Sequence, residues 1–141
     1  MSRESRILAA VLLVTYPGVI LGGVSLLSLL VFTEEYAANP LRQDLWRAGH
    51  AHAGVFLALA LVLLRYVDES TLSAPWKWVA RLAAPIAAIL LPLAFFLSVL
   101  DPAASQAGPL VYLAYAGAAI LALGLFVLGV GLARRPRQWS G

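Results

Sequence analysis

The sequence predicts an all-α integral membrane protein, a four-helix bundle with both termini cytoplasmic. Three observations carry that expectation. Hydrophobic residues fill 62% of the 141 positions and charged residues only 12%, and the mean hydropathy of +0.87 lies far from that of a soluble domain. Crossing a hydrocarbon core about 30 Å thick takes about 20 apolar residues in a helix, and four runs of that order stand out, 7–32, 48–64, 79–100 and 109–133. The basic residues collect at alternate ends of these runs, as the positive-inside rule requires of a chain that crosses four times.

Taken in order, the first helix follows Arg3 and Arg6. Its run is too long for a signal-peptide core and lacks a small-x-small cleavage site, so it is expected to be retained. The second helix has the clearest start: Asn39 is a good capping side chain and Pro40 takes the first helical position, where its missing N–H costs nothing. It is expected over 40–66, with its first turns outside the hydrocarbon. The third, expected over 76–100, contains Pro85 and Pro92 on nearly one face and should be kinked or locally opened. The fourth, 109–133, carries Gly117, Gly124 and Gly131 at seven-residue spacing, the pattern of close helix approach in lipid. Together they make one four-span membrane domain.

The charge pattern sets the orientation and disposes of the basic pI of 9.7. Arg3, Arg6, Arg65, Lys77, Arg81, Arg134, Arg135 and Arg137 belong to one side, while Arg42 and Arg47 sit opposite with Glu34, Glu35 and Asp44, and the third loop carries Asp101. The basic residues thus read as membrane orientation, and no nucleic-acid partner is expected. No Gly-rich phosphate loop occurs, and no appended domain is left over to carry soluble chemistry. The absence of cysteine excludes disulfides, thiolate haem ligation and Cys-based zinc sites. Trp46, Trp76, Trp78 and Trp139 read as interfacial anchors, and Tyr112 and Tyr115 as anchors or as part of an outer polar pocket with Asp101.

Against this apolar background the only two histidines, His50 and His52, stand within the second helix in Gly49-His50-Ala51-His52-Ala53-Gly54. Ionisable groups at membrane depth are expensive, and by default they mark function. At about 1.5 Å per residue the pair sits about 15–18 Å from the helix start, in the outer leaflet. Successive residues turn by about 100°, so the two imidazoles point about 160° apart and cannot grip one ion from a regular helix. One is expected to face the bundle and the other an interface. Arg47 lies three residues before His50 and its planar guanidinium suits a propionate or carboxylate; the His52 face, with Leu45, Ala48, Gly49, Phe56 and Leu59, suits a flat apolar ring.

The segment Trp46-Arg47-Ala48-Gly49-His50-Ala51-His52-Ala53-Gly54, opening the second of four short spans, resembles the styrene oxide isomerase and hydroxylaminobenzene mutase group of small membrane proteins. A second patch, Phe95-Phe96-Leu97-Ser98-Val99-Leu100-Asp101-Pro102, is similar to that family's aromatic end of helix three. The resemblance implies a homo-oligomer, a trimer in that family, with haem b between subunits and a helix-two histidine on the iron. By its His-Ala-Gly order the matching ligand is His52, with His50 as the alternative. It further implies a ferric haem acting as Lewis acid on a small apolar epoxide from the bilayer, assisted by tyrosine and asparagine; here Phe95 and Ala58 stand at those positions. Three readings follow: a haem protein on the isomerase scaffold in a prokaryotic plasma membrane, a haem- or copper-binding redox or accessory subunit, and a purely structural subunit. An absorption spectrum separates the first from the others.

Overall fold

A computed structural model describes residues 1–134; Arg135, Arg137 and Trp139 lie outside the described residues. The chain forms α1 (Arg3–Phe32), a short α2 (Glu34–Ala37), α3 (Pro40–Glu69), α4 (Ala74–Leu97), a single 3-10 turn (Pro109–Tyr112) and α5 (Leu113–Ala133). Four of the helices are long and apolar enough to cross a membrane. No strand occurs among the described residues.

Local chemistry explains the boundaries. The Asn39 Oδ1 accepts the Arg42 amide at 3.0 Å, which is the expected cap of α3, and its Nδ2 also donates to the carbonyls of Pro102 and Ala104, so one side chain starts a helix and holds the α4–α5 loop. α1 begins at Arg3, earlier than the apolar run, because the Ser2 hydroxyl caps it by accepting the Ser5 amide. α4 starts at Ala74 and stops at Leu97, three residues short of the expected 100; the Ser98 carbonyl instead accepts the Gly108 amide at 2.7 Å and turns the chain back. It continues as helix through both Pro85 and Pro92.

The four spanning helices pack as a row in chain order. α4 lies between α3 and α5, α1 leans on α3, and α1 and α5 do not pack against each other. Half of the apolar window of α4 is buried, but only 6% of that of α1. Glycines of α5 make the α4–α5 contact: a methyl added to Gly124 would overlap Ala83 and one at Gly117 would overlap Leu91, while one at Gly131 would overlap Leu72 in the connection between α3 and α4. Their seven-residue spacing is therefore used for helix packing.

One end of the row is tied by a buried ionic cluster. Arg81 on α4 donates to the Asp68 carboxylate on α3 at 2.9 Å, with both side chains almost fully buried. Arg81 also donates to the hydroxyls of Ser5 and Ser2, and Asp68 accepts from the Ser5 hydroxyl and the Ser2 amide. Beside it, the Thr71 amide and hydroxyl both donate to the Gly131 carbonyl. The starts of α1 and α4 and the ends of α3 and α5 therefore meet at one end of the molecule. Leu12, Leu63, Leu64, Val67, Ala84 and Leu128 close over the cluster as the apolar core.

Two outcomes test this packing in unfolding titrations followed by helical circular dichroism. Removing one member of a buried ion pair leaves an uncompensated charge, so Arg81→Met alone is expected to cost about 3–5 kcal/mol, and the Asp68→Leu/Arg81→Met double substitution much less. Gly124→Leu is expected to cost about 1–3 kcal/mol by forcing α5 off α4.

Candidate functional site

The two histidines occupy different crevices on either side of α3. The His50 ring lies against Gly22 and Gly23 of α1: a methyl at Gly23 would come within 2.8 Å of its Nε2 and 3.0 Å of its Cε1, so only glycine leaves room for the imidazole. The ring of His52 instead packs against Phe56 of its own helix and Phe95 of α4, with centroids 5.3 and 5.4 Å apart. Gly49, buried just before the two histidines, lets α4 come close; a methyl there would lie 3.1 Å from the Phe96 ring. The helical twist that separates the pair thus delivers one imidazole to α1 and the other to α4. Both meet helices of the same chain, with Phe95 partly covering the His52 side.

Their hydrogen bonding differs too. The His52 Nδ1 is 2.6 Å from the Ala48 carbonyl. A carbonyl can only accept, so Nδ1 carries the proton and the neutral ring keeps its lone pair on Nε2. His50 has no hydrogen-bond partner among the described residues, and it lines two cavities at once. The larger, about 490 Å³, runs between α1 and α4 over the floor of α3; apart from His50 and Thr15 its walls are apolar. The smaller, about 260 Å³, lies beyond His50; Leu26, Leu27 and Leu30 of α1 give it an apolar wall, and Tyr36, Gln43 and Arg47 bound its other side.

Arg47 therefore joins His50, and His52 lines neither cavity. Arg47 is exposed, donating to Asp44 at 2.7 Å and to the Gln43 carbonyl. Gln43 donates to the Tyr36 and Ala37 carbonyls and so fixes α2 over the cavity. Tyr36 is only 2% exposed, and burial pushes its phenol up from the ordinary value, keeping it a neutral donor. Gln43 and Tyr36 escaped the sequence reading, although Gln43, Arg47 and His50 share one helical face by their spacing.

Other expectations change. Trp46 is more than an interfacial anchor: its indole N–H donates to the Phe96 carbonyl at 3.2 Å, satisfying one of the orphan acceptors at the end of α4, and its ring packs on Tyr36 and Phe96 beneath the Arg42 guanidinium. Trp76 and Trp78 are exposed as anchors should be. Tyr112 and Tyr115 are exposed and pair with each other, away from both histidine cavities, and Asp101 caps its own turn by accepting the Ala103 amide. Among the described residues no three His, Cys, Asp or Glu side chains gather for a metal ion.

The glycine contact yields a selective prediction. Gly23→Ala is expected to move the imidazole resonances of His50 in a nitrogen-15 histidine spectrum and to leave those of His52 in place; equal movement of both would refute the separation of the two sites.

No family model matches this chain, and no curated protein or solved structure matches it.

Proposed function

We propose that this chain is a haem b-binding membrane protein on a styrene oxide isomerase-like scaffold, with His52 as the axial ligand. The observation that carries the reading is the His52 Nδ1 bond to the Ala48 carbonyl. It fixes the ring orientation and leaves Nε2 as the metal-binding nitrogen, the arrangement expected of a ligating imidazole. Phe56 and Phe95 against the same ring supply an apolar, water-poor wall. His52 lines neither cavity of its own chain, so a haem site on this face would have to be completed by a second copy, in keeping with the homo-oligomer, trimeric in the resembling family, that holds its cofactor between subunits. The basic end of the molecule faces the cytoplasm in this reading, in a prokaryotic plasma membrane.

Bound there, haem b would supply a Lewis-acidic iron able to polarise an oxygen of a small substrate. The chain's own contribution is to hold the imidazole, exclude water and admit a small apolar molecule from the bilayer. It carries no hydroxyl or amide where the resembling enzymes place theirs: Phe95 packs on His52, and Ala58 is exposed on α3. Proton-assisted epoxide opening therefore has no donor at those positions. A copper centre made within one chain is disfavoured, since the two imidazoles diverge and, among the described residues, no His, Cys, Asp or Glu side chains gather in threes.

The test is the absorption spectrum of detergent-purified protein, as isolated and after haemin addition. Wild type is expected to show a Soret band, His52→Ala to lose it, and His50→Ala to keep it. A wild type that stays colourless after haemin addition would sink the haem reading. Equal loss in both variants would move the ligation to a pair of histidines from two chains.

A further inference from the structure

The His50 side of α3 holds a second site, separate from the one assigned to haem. Its larger cavity is long and narrow. On α1 it extends from Leu8 to Gly22, fourteen residues, or about 21 Å of helix at 1.5 Å per residue. Val11, Val19, Leu57, Ala88 and Ile89 give it apolar walls, and Val11, Thr15 and Ile89 at its rim are exposed, so it opens sideways where lipid would lie. A trough of this shape suits an extended hydrocarbon chain better than a flat ring.

At one end the trough meets three polar side chains. His50 stands between the two cavities, and Tyr36 and Arg47 bound the smaller one. Tyr36 is 2% exposed as a residue, and its hydroxyl makes no hydrogen bond among the described residues, so it is free to donate to a ligand. Arg47 is engaged by the Gln43 carbonyl and by an exposed i, i+3 pair with Asp44; the exposed pair is worth little and is readily exchanged. A phenol, an imidazole N–H and a guanidinium can all donate, and of the carboxylates around them, Glu34, Glu35 and Asp44, none lines either cavity. The complementary head group is an anionic acceptor, and a carboxylate matches the guanidinium fork.

We propose that this groove binds a long-chain carboxylate, a free fatty acid drawn from the bilayer, with its chain between α1 and α4 and its head held by Tyr36, Arg47 and His50. Gly18 offers a clean way to block it. It lines the larger cavity, and nothing lies within 4 Å of a methyl built on it, so a bulky side chain there fills the groove without displacing a neighbour.

The experiment measures binding of radiolabelled palmitate to the full chain in phosphatidylcholine nanodiscs, with and without haemin. Palmitate is expected to bind saturably, and hexadecanol about ten-fold or more weaker, since it lacks the charge that strengthens such hydrogen bonds. Gly18→Phe should abolish binding. Arg47→Gln and Tyr36→Phe should each weaken it several-fold, the latter while preserving the packing of the ring. Equal affinity for hexadecanol, or undiminished binding to Gly18→Phe, overturns the proposal. So does displacement by haemin, which would make the smaller cavity a propionate pocket, and so does stronger binding of palmitoyl lysophosphatidate, which would assign the head site to a phospholipid. The proposal does not rest on haem at His52: a missing Soret band leaves the palmitate result standing, and a failed palmitate assay leaves the Soret result standing.

Discussion

The ion pair between Asp68 and Arg81, with Ser2 and Ser5 around it, is what holds α1 to the rest of the molecule. α1 buries little of its surface, so van der Waals packing alone gives it a weak hold. The cluster fastens its first turn to the end of α3 and the start of α4. Further along, the Tyr16 hydroxyl donates to the Gly54 carbonyl of α3, and about five turns from the cluster His50 is seated against Gly22 and Gly23. Between the cluster and His50 α1 spans free of α4, and the long groove is the space left beneath it. The polar cluster and the histidine are thus coupled parts of one scaffold, although they sit at opposite ends of the groove.

The same logic explains the hub role of α4. Its alanines, Ala80, Ala83, Ala84, Ala87 and Ala88, are all buried, and on α5 Gly124 meets Ala83 while Gly117 meets Leu90 and Leu91 at close range. Small residues on both surfaces let the helices approach until dispersion contacts are dense, which substitutes in lipid for the hydrophobic drive available in water. Prolines are tolerated in such a helix because its neighbours fix its course.

How much of this was legible in the sequence depended on whether the signal was local. The start of α3 could be read from Asn39-Pro40, because capping needs only the next few residues. Length and hydropathy marked the spanning helices, and the angular separation of His50 and His52 followed from helix geometry alone. The Asp68–Arg81 pair could not be read, since thirteen residues and a turn separate the partners, and Arg81 looks like any basic residue beside a membrane. Tyr36 gave no sign of burial either: its neighbours Glu34 and Glu35 are exposed, and it is the Gln43 bonds to α2 and the Trp46 ring that draw it inward. Trp46 was under-read for a related reason, because a tryptophan at membrane depth has the same composition signal whether its N–H faces lipid headgroups or the end of another helix.

The loose attachment of α1 has a kinetic side. A groove that opens along the flank of a spanning helix exchanges its contents by lateral diffusion in two dimensions, and no water-filled passage is involved. Occupancy then follows the mole fraction of a compound in the surrounding lipid, so the aqueous concentration matters only through partitioning. Diluting the protein with more bilayer would empty such a site even when the solution above it is unchanged. For this chain the composition of the host membrane is therefore a thermodynamic variable on the same footing as ligand dose.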